Sequence, residues 1–510
     1  MRPEHPTPHR VVDLATAFGL VGHVPEALVV TGVTVASGDA RPGDLFVAVP
    51  GRAVHGARYA AAAVAGGAVA VLTDAAGAPD AAATGVPVLV ADDPRALAGP
   101  IAAAVYDDPG ARLLTIGITG TNGKTTTTYF VDAALRAVHA TTAVLGTVEL
   151  RIGDDAVESP RTSVEAPVLQ AICALALERG ATAVTTEVSS HGLALGRLRG
   201  MRFDVAGFSN LQRDHLDFHG DMAGYFAAKA TLFEPDLARH GVVVVDDEWG
   251  RRLARQAPIP VERVSTHAAD PQDAEWTVTE AQIGLDGVGS SFVLRGPDGV
   301  HHAASSPLPG LVNVSNAALA IVLAHAGGID LDVAIGAVAR AHAIPGRMER
   351  VVERGCGLPL CLVDYAHTPD ALVLALEAVR PITPGRLIIV LGSDGDRDRG
   401  KRPIMGQIAA RLADVLVVTD ENPRSEEPAS IRRAILDGVL AERPDGHDVH
   451  EVEPRAAAVR RALELADAAD TVIVTGKGHE PTQEVAGVFH RYNDRDVFLA
   501  VRDERAGAAR

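Results

Sequence analysis

The stretch Thr115-Ile-Gly-Ile-Thr-Gly-Thr-Asn-Gly-Lys-Thr-Thr-Thr-Thr128 decides the fold, because it places a glycine-rich turn and a lysine between an apolar strand and a helix-like segment. Such a turn can surround phosphate oxygens with backbone N–H groups, and the dipole of the following helix favours a bound anion. The N–H groups in question belong to Gly120, Thr121, Asn122 and Gly123. The stretch therefore predicts a nucleotide phosphate site.

Three residues at the start of the predicted helix complete this site. Lys124 supplies a positive charge, Thr125 offers a hydroxyl to Mg²⁺, and Thr126 is a further candidate ATP contact. Ile118 stands where the general phosphate-loop pattern has its first glycine. The alternative interpretation is a glycine-rich turn that binds nothing, but strand, loop, lysine and helix occur in the order that nucleotide binding requires.

Composition restricts the class of protein. Hydrophobic residues make up 47% of the 510 residues and aromatic residues only 4%, so we expect cores of Ala, Val and Leu. The formal charge of −18 argues against nucleic acid or an anionic membrane as the main partner. Cys173, Cys356 and Cys361 are too few for a disulfide framework, which indicates a reducing, cytoplasmic setting. No signal-peptide pattern or long apolar span is present.

Proline and glycine interruptions divide the chain into three predicted domains, with breaks at Tyr106-Asp-Asp-Pro-Gly110 and at Pro345-Gly346. The domains cover residues 1–105, 106–344 and 345–510. Strands alternate with helical stretches in all three, so the predicted fold class is α/β with doubly wound sheets. The predicted strands are Ala27–Val35, Leu45–Val49, Ala68–Thr73, Leu113–Ile118, Ala183–Val188, Val205–Phe208, Val242–Asp246, Leu360–Asp364, Arg386–Leu391, Val415–Thr419 and Thr471–Thr475.

Polar clusters follow the strands of the last domain. Because ligands of open α/β sheets bind beyond the carboxyl ends of the strands, we expect these clusters to converge. Arg424 is a planar donor that can bind a carboxylate through two nitrogens. Glu480 could accept an ammonium group or cap the next segment, and Asp396–Arg402 could face a ligand or be a solvated charge run. The clusters are Tyr365-Ala-His-Thr-Pro369, Ser393–Arg399, Asn422-Pro-Arg424 and Gly476-Lys-Gly-His-Glu480.

Three further side chains are candidates beside the phosphate loop. Glu187 ends an apolar strand, and His215 lies after the next strand, so both should face the edge that carries the loop. A carboxylate and an imidazole there are credible Mg²⁺ ligands, and ordinary loop residues are the alternative. Lys229 lies in a helical stretch, where a solvated lysine is the default interpretation.

Taken together, these blocks resemble the Mur ligase family. They cover essentially the whole chain in the family's order. The matching blocks are Gly120-Thr-Asn-Gly-Lys-Thr125, Glu187-Val-Ser-Ser-His-Gly-Leu193, Asn210-Leu-Gln-Arg-Asp-His-Leu-Asp-Phe-His-Gly220, Ala228-Lys-Ala-Thr-Leu-Phe233, Asp364-Tyr-Ala-His-Thr-Pro-Asp370, Gly395-Asp-Arg-Asp-Arg-Gly-Lys-Arg402, Glu421-Asn-Pro-Arg424 and Gly476-Lys-Gly-His-Glu480.

The resemblance implies a small N-terminal α/β domain for a uridine nucleotide, a central P-loop-type domain for ATP and a C-terminal Rossmann-like domain for an amino acid. It also implies an amide ligase of peptidoglycan precursor synthesis. The D-glutamate side-chain carboxylate of UDP-MurNAc-L-Ala-D-Glu would attack the γ-phosphate of ATP to give an acyl phosphate. The amine of a diamino acid would then displace phosphate.

The resemblance also assigns roles to individual residues. Thr125 and Glu187 would hold one Mg²⁺, and His215 would help to hold a second. Lys229 would be carbamylated by CO₂, which gives an anionic oxygen ligand. Besides the phosphate loop and Thr126, ATP would lie near Asn313, Asn316, Arg347 and Asp364. The UDP substrate would contact Ser37, Thr162, Ser163 and Ser189. The amino acid would contact Arg397, Asn422, Arg424, Gly476 and Glu480.

Arg424 favours meso-diaminopimelate over lysine, because lysine lacks the distal carboxylate that would pair with a buried guanidinium. The chain departs from the family pattern at three places. Glu421 stands where the family has Asp, and the sugar-site blocks read Ala36-Ser37-Gly38 and Thr162-Ser163-Val164. These departures concern the amino-acid and UDP-sugar sites rather than the ATP site.

Two alternatives stay open at this point. The same chemistry could serve lysine, another diamino acid or a different carboxylate acceptor, given the altered sugar-site blocks. A non-catalytic ATP-binding sensor is the other alternative, although it would not need all of the metal and lysine positions. We also expect a monomer whose domains close around the acyl phosphate to exclude water.

Overall fold

The computed structural model describes residues 1–51, 54–266, 274–285, 288–355 and 357–508. These residues form two compact units. The first comprises Met1–Ser265 and Leu319–Ala337 with a short segment that ends at Trp276, and the second comprises Thr277–Ala318 and the chain from Val338 onward. In the described ranges, no helix combines the length and the apolar character needed to cross a bilayer. Cys356 lies outside the described residues.

The N-terminal part of the first unit is built on a four-stranded parallel sheet in the order β3-β4-β5-β6. The predicted strand Ala27–Val35 is divided into two short strands, and β6 had not been predicted. Leu45, Val47, Leu72 and Ile101 form part of its core. The elements are β1 (His9–Arg10), α1 (Val11–Phe18), β2 (Val29–Val30), β3 (Gly32–Thr34), β4 (Asp44–Val47), α2 (Ala60–Ala65), β5 (Ala70–Thr73), α3 (Ala78–Ala82), β6 (Val88–Val90) and α4 (Pro94–Val105).

The rest of the first unit carries a larger sheet in the order β10-β9-β8-β11-β7-β12-β13-β14. The strands from β8 to β14 in this order are parallel, whereas β9 and β10 form an antiparallel edge. The elements are β7 (Leu114–Thr119), α5 (Lys124–Arg136), β8 (Thr142–Leu145), β9 (Glu149–Ile152), β10 (Asp155–Glu158), α6 (Ala166–Glu178), β11 (Ala183–Glu187), α7 (Ser190–Ala194), β12 (Phe203–Phe208), α8 (Leu216–His219), α9 (Met222–Ala230), β13 (Ala238–Val244), α10 (Glu248–Gln256) and β14 (Val261–Ser265).

This strand order positions the candidate site. β7 lies between β11 and β12, with Ile118 opposite Glu187 and Thr119 opposite Phe208. The loops that follow these three parallel strands therefore leave the same edge of the sheet, where ligands of doubly wound folds bind. The doubly wound prediction for the central region is confirmed at this sheet.

In the second unit, antiparallel strands precede a six-stranded sheet in the order β18-β19-β23-β20-β21-β22, which is parallel except for β18. Helices α11 and α12 lie between these sheets in sequence, and their residues Leu319–Ala337 belong to the first unit. The elements are β15 (Trp276–Leu285), β16 (Gly289–Arg295), β17 (His301–Ser306), α11 (Leu311–Ala326), α12 (Leu331–Ala339), β18 (Glu349–Val352), β19 (Leu360–Val363), α13 (Pro369–Val379), β20 (Leu387–Leu391), α14 (Lys401–Leu412), β21 (Val415–Val418), α15 (Pro428–Glu442), β22 (Val449–Glu451), α16 (Arg455–Leu465), β23 (Thr471–Val474), β24 (Thr482–Val485), β25 (Val488–Arg491) and α17 (Asp494–Ala508).

Sequence reasoning missed the antiparallel strands, and it also missed the parallel strands β6, β8, β14 and β22. β15, β16 and β17 form a meander, and β24 and β25 form a hairpin. Apolar and polar residues alternate along Trp276-Thr-Val-Thr279 at the start of β15, and the apolar Trp276 and Val278 are buried. A period of two residues is the signal of a half-buried strand, and it was present here to be found.

Candidate active site

The phosphate loop runs from Gly120 to Gly123 between β7 and α5. Gly120 has a φ of 152° and Gly123 a φ of 89°, which side chains rarely allow. A Cβ atom on Gly120 would lie 1.9 Å from the Ser209 Oγ, so glycine is also required there for the close approach. The local sequence thus gives the backbone the sharp turn that a phosphate cradle needs.

The segment after β12 holds this loop in place. The Asn122 N–H donates to the Asn210 Oδ1 (3.0 Å), and the Asn210 Nδ2 donates to the Asn122 carbonyl (3.0 Å). The Thr121 N–H donates to the Asn210 carbonyl (2.9 Å), and the Gln212 N–H donates to the Thr121 Oγ1 (2.9 Å). These bonds fix the loop before any ligand binds.

Two lysines converge on the loop's carbonyl groups. The Lys124 Nζ donates to the carbonyls of Gly120 (3.0 Å) and Thr121 (2.8 Å), and the Lys229 Nζ donates to the same Gly120 carbonyl (2.6 Å). Lys229 is only 1% exposed, and its Nζ lies 4.7 Å from the centroid of the Tyr225 ring. Burial, with repulsion from Lys124, lowers the pKa of Lys229 well below its usual value, so its amine tends to be neutral.

Glu187, at the end of β11, faces the first turn of α5 as predicted. Its Oε2 accepts hydrogen bonds from the Oγ1 atoms of Thr125 (3.0 Å) and Thr147 (2.9 Å), and its Oε1 accepts from the Thr147 N–H (2.8 Å). Glu187 is fully buried. Thr147 was not predicted, although it follows β8 at the same edge of the sheet, where the same rule applies.

His215 begins α8 with a left-handed backbone (φ 53°). Its Nε2 lies 3.3 Å from the Asp214 Oδ2, and its ring packs edge-on against His191 at 4.7 Å between centroids. Desolvation lowers the pKa of His215 more than the Asp214 carboxylate raises it, even though 46% of the side chain is exposed. The imidazole is therefore neutral at pH 7, which is the form that ligates metals.

The predicted UDP-substrate residues of the first unit fall into two places. Thr162, Ser163 and Ser189 lie together beside Glu187, because the Ser163 Oγ donates to the Glu187 carbonyl (3.0 Å) and accepts from the Ser189 N–H (2.9 Å). The Thr162 Oγ1 accepts from the Thr147 Oγ1 (3.0 Å). Ser37 begins a single turn that follows β3.

Arg197 is a further residue of this region that sequence reasoning missed. Its Nη1 donates to the Ser163 carbonyl (3.3 Å), and its Nε lies 2.9 Å from the Glu165 Oε1. It thus places a cation next to the Ser163 backbone, which an anionic substrate could use. Arg197 stands only six residues after the Ser-Ser-His block, so spacing was the available signal.

The remaining predicted ATP contacts lie in the second unit and are engaged within it. The Asn313 Nδ2 donates to the Pro309 carbonyl (2.7 Å), and the Asn316 Nδ2 donates to the Asn313 Oδ1 (3.1 Å). The Arg347 guanidinium lies over the Tyr365 ring at 4.3 Å. Asp364 accepts from the Met348 and Ala366 N–H groups (2.8 Å each), yet burial raises its pKa.

The predicted amino-acid residues largely converge, as the strand-end rule predicts. The Asn422 Nδ2 donates to the Glu480 Oε2 (3.0 Å), and a Cβ on Gly476 would lie 2.4 Å from the Glu421 Oε2. Arg397 is exposed in the loop after β20. Lys477, which had not been assigned a role, is fully buried, and its Nζ donates to the Asn422 Oδ1 and the Glu480 Oε2 (2.9 Å each).

Arg424 has a left-handed backbone (φ 54°), and its backbone forms two hydrogen bonds with the β24–β25 hairpin. Its N–H donates to the Glu484 carbonyl (3.0 Å), and its carbonyl accepts from the Ala486 N–H (2.7 Å). The Arg424 Nη2 donates to the Asp394 Oδ2 (3.2 Å). The guanidinium is therefore held at its base by a hairpin and at its tip by a carboxylate.

The candidate metal ligands do not form a preassembled cage. Among the described residues, no group of three or more His, Cys, Asp or Glu side chains is arranged to hold a metal ion. Thr125 and Glu187 nevertheless present hydroxyl and carboxylate oxygens within 3.0 Å of each other. Oxygen donors of this kind suit Mg²⁺, which usually takes few protein ligands and completes its shell with substrate phosphates and water.

Comparisons with known proteins agree with this geometry. Three family profiles match the chain: the Mur ligase family, catalytic domain over residues 29–106, the Mur ligase middle domain over 118–324 and the Mur ligase, glutamate ligase domain over 346–478. The chain belongs to the Mur ligase family. The predicted α/β architecture of this family is thereby confirmed, and the boundaries at 105 and 344 stay predictions.

Several relatives of this Mur ligase match nearly its whole length. A protein of Streptomyces coelicolor named UDP-N-acetylmuramoyl-L-alanyl-D-glutamate--2,6-diaminopimelate ligase is 48% identical, over 97% of this chain and 98% of its own. A Leifsonia xyli protein named UDP-N-acetylmuramyl-tripeptide synthetase is 46% identical, over 99% and 98%. A solved structure with the same ligase name as the Streptomyces protein has 32% identity and a TM-score of 0.66, covering 95% of this chain and 97% of that chain.

Proposed function

We propose that this Mur ligase is an ATP-dependent, ADP-forming amide ligase that adds meso-diaminopimelate to the D-glutamate side-chain carboxylate of UDP-MurNAc-L-Ala-D-Glu. The observation that carries the proposal is the 48% identity, over 97% of the chain, to a relative named for this reaction. The phosphate loop and the cluster of Asp394, Glu421 and Arg424, called the Arg424 pocket below, supply the physical means for it.

The chain's own residues fit a magnesium ion beside the loop. Thr125 and Glu187 would hold it, and the neutral His215 imidazole would help to hold a second ion. When bound, Mg²⁺ neutralises the negative charge of the triphosphate and withdraws electrons from the phosphorus that is attacked. ATP and Mg²⁺ are the small molecules that the central site requires.

Lys229 enters the proposal as a modified residue. A protonated ammonium group 2.6 Å from a loop carbonyl cannot ligate a metal, but a buried neutral amine can attack CO₂. The amine nitrogen would form a bond to carbon and lose a proton, which leaves an anionic carbamate. The lysine thereby becomes an oxygen donor beside the triphosphate.

The remaining steps of the proposed reaction use Lys124 and the N–H groups of the phosphate loop. A carboxylate oxygen of D-Glu attacks the γ-phosphorus, the bond to the bridging oxygen breaks, and ADP leaves. Lys124 and the N–H groups of the loop stabilise the charge on the transferred phosphoryl group. The amine nitrogen then attacks the acyl carbon, inorganic phosphate leaves, and the amine loses a proton as the amide forms.

The substrate ends are held by different parts of the chain. Thr162, Ser163 and Ser189 would bind the UDP-sugar substrate beside the triphosphate, and Ser37 would contact its nucleotide end. Asn313, Asn316, Arg347 and Asp364 would contact the base and ribose of ATP. Arg397, Asn422, Arg424, Gly476 and Glu480 would bind the diamino acid, with Arg424 paired to its distal carboxylate.

The proposal places the enzyme in the cytoplasm, where ATP is supplied, as a monomer that needs neither nucleic acid nor a membrane. The formal charge of −18 supports the exclusion of polyanionic partners, because it would repel them. Size-exclusion chromatography with light scattering at several protein concentrations tests the monomer.

A substrate panel tests the reaction and its specificity together. Purified protein is given UDP-MurNAc-L-Ala-D-Glu, ATP and Mg²⁺ with meso-diaminopimelate, lysine or ornithine, and ADP release and amide formation are followed. We expect turnover with meso-diaminopimelate alone. Turnover with lysine or ornithine but not with meso-diaminopimelate would refute the specificity, and nucleotide binding without amine-dependent phosphate release would refute the enzyme.

Arg424→Ala provides the matched specificity test. Without the guanidinium, the distal carboxylate would enter the pocket unpaired, so kcat/KM for meso-diaminopimelate should fall by about 100-fold or more. Exposed Arg433 on α15 offers a control of the same residue type, and Arg433→Ala should keep normal kcat/KM. An unchanged kcat/KM in Arg424→Ala would remove Arg424 from the specificity site.

A further inference from the structure

Three polar atoms in the Arg424 pocket make no hydrogen bond to any described part of the chain. They are the Arg424 Nε, the Asp394 Oδ1 and the Glu421 Oε2, and all three atoms are buried. Glu421 is only 3% exposed. A buried polar atom without a hydrogen bond is costly and uncommon in folded proteins, so three in one pocket indicate a ligand that carries both charges.

Asp394 is held firmly in this pocket by its backbone. Its carbonyl accepts from the Nη2 of buried Arg402 (3.1 Å), and the next N–H, that of Gly395, donates to the Asn422 carbonyl (2.8 Å). Gly395 approaches the Pro423 carbonyl so closely that a Cβ would lie 1.9 Å from it. The position of the carboxylate is therefore set by the Asn-Pro-Arg turn itself.

The two carboxyl oxygens of Asp394 have different surroundings. Oδ2 accepts from the Arg424 Nη2 at 3.2 Å, whereas Oδ1 has no hydrogen bond within the described ranges. Glu484 approaches the Arg424 Nε only to 3.9 Å, which is too long for a hydrogen bond. Asp394 can therefore hold Arg424 and still offer an acceptor to a ligand.

The electrostatics of the pocket also favour a cation. Burial, and then repulsion from Asp394, raise the pKa of Glu421 to about 8. Two carboxylates repel each other when both are ionised. An ammonium group between them would stabilise both negative charges. The guanidinium, a few ångströms away along Asp394, favours a carboxylate at the same time.

Resting on the proposed function, we propose that Asp394 is a specificity-determining residue that binds the distal ammonium group of the diamino acid through Oδ1 while it holds Arg424 through Oδ2. The pocket then recognises a carboxylate and an ammonium group on one carbon. Lysine offers only the ammonium group, and 2-aminopimelate offers only the carboxylate. Lysine would leave Arg424 without a carboxylate partner, and 2-aminopimelate would leave Asp394 without an ammonium partner.

The test compares two amine substrates that differ only at the distal ammonium group. kcat/KM is measured for meso-diaminopimelate and for L-2-aminopimelate in the wild-type enzyme and in Asp394→Asn and Asp394→Ala. We expect the wild type to prefer meso-diaminopimelate by about 100-fold. In both variants this preference should fall below about 10-fold, because the anionic acceptor for the ammonium group is lost.

Asp398→Asn is the matched control, because Asp398 lies on the same loop and, among the described residues, accepts from the Gly400 N–H alone (2.8 Å). It should keep the wild-type preference. A wild-type enzyme that uses both amines equally would overturn the inference without any variant. Equal losses for both amines in the Asp394 variants would reduce Asp394 to a structural role. No turnover of meso-diaminopimelate by the wild type would overturn the proposed function and this inference together.

Discussion

At the scale of single residues, the protonation state of Lys229 depends strongly on its surroundings, because burial lowers its pKa. We expect Lys229→Ala to lose about 100-fold or more in kcat, because it removes the oxygen ligand that the carbamate would provide. Formate or acetate should restore part of the activity by supplying a carboxylate in the vacated space. ADP release measured with increasing formate checks this, with chloride at equal ionic strength as the control. Full activity without added acid would remove the carbamate from the mechanism.

Glu421 makes stability depend on pH. Its pKa is about 8 in the folded protein and near 4.5 when exposed, so the folded state keeps a proton that the unfolded state loses first. Stability from this group is therefore fully present below about pH 4.5 and is lost as pH rises toward 8, at about 1.4 kcal/mol per unit of pKa difference.

The Glu421→Gln substitution should remove this dependence. Relative to wild type, the variant should gain stability at pH 8 compared with pH 5, because glutamine has no proton to lose. Thermal unfolding at both pH values measures the difference. The groups that act on the carboxyl are Asp394, Lys401, Arg455 and Glu480. An equal shift at both pH values would show that Glu421 is ionised throughout this range.

At the scale of elements, helix α5 must be held so that the phosphate loop keeps its shape. Buried Asp132 on α5 pairs with Arg151 on β9 and accepts from the Thr142 Oγ1 (2.6 Å). The antiparallel edge of the sheet thus anchors the helix that carries Lys124. Asp132→Ala should destabilise the first unit by about 3 kcal/mol or more, because it takes the nearest carboxylate from a buried arginine whose other ion pair, with Glu149, lies at 3.0 Å.

The double variant Asp132→Leu/Arg151→Met separates pairing from packing. It should recover most of the loss, to within about 1–2 kcal/mol of wild type, since it removes both buried charges. Urea unfolding followed by circular dichroism measures both variants. If the double variant were as unstable as Asp132→Ala, the loss would have to come from packing rather than from the unpaired charge.

At the scale of the whole molecule, each compact unit has its own core. Leu145, Val184 and Phe208 belong to the core of the first unit, and Val363, Val417 and Val474 to that of the second. Since separate cores unfold separately, calorimetry should resolve more than one transition. Asp132→Ala should lower only the transition of the first unit.

Asp494→Ala is the counterpart in the second unit. Asp494 pairs with Arg455, and both side chains are fully buried, so the variant should lower only the other transition by a similar amount. Both variants are to be measured without ligands, because a ligand that binds one unit raises its transition. A single transition that both variants lower equally would mean that the units unfold as one.

Features that depend on residues close together in the chain were predicted correctly from the sequence. The phosphate loop, most of the parallel strands and the polar residues that follow them could be read from Gly120, Lys124 and Glu187, because a period of apolar residues and a glycine turn act within a few positions of the chain. The antiparallel strands were missed, as were the parallel strands β6, β8, β14 and β22. At the start of β15 apolar residues alternate with polar ones and make no continuous apolar run. Thr147 and Arg197 were missed because their partners Glu187 and Ser163 are 40 and 34 residues away in sequence, and Lys477 because its contact with Asn422 spans 55 residues.

By itself, then, the sequence determined the family, the order of the sheets and the side chains available for chemistry. Only the tertiary structure decided the protonation states of these side chains and their hydrogen-bond partners. Lys229 loses its proton readily because the loop around Gly120 and the ring of Tyr225 bury it, and Asp394 meets Arg424 because Gly395 packs against the Pro423 carbonyl. These effects come from contacts between residues that are distant in sequence. Asp394 and Arg424 are 30 residues apart, and Gly120 and Lys229 are 109 residues apart. A pattern of neighbouring residues therefore cannot predict them.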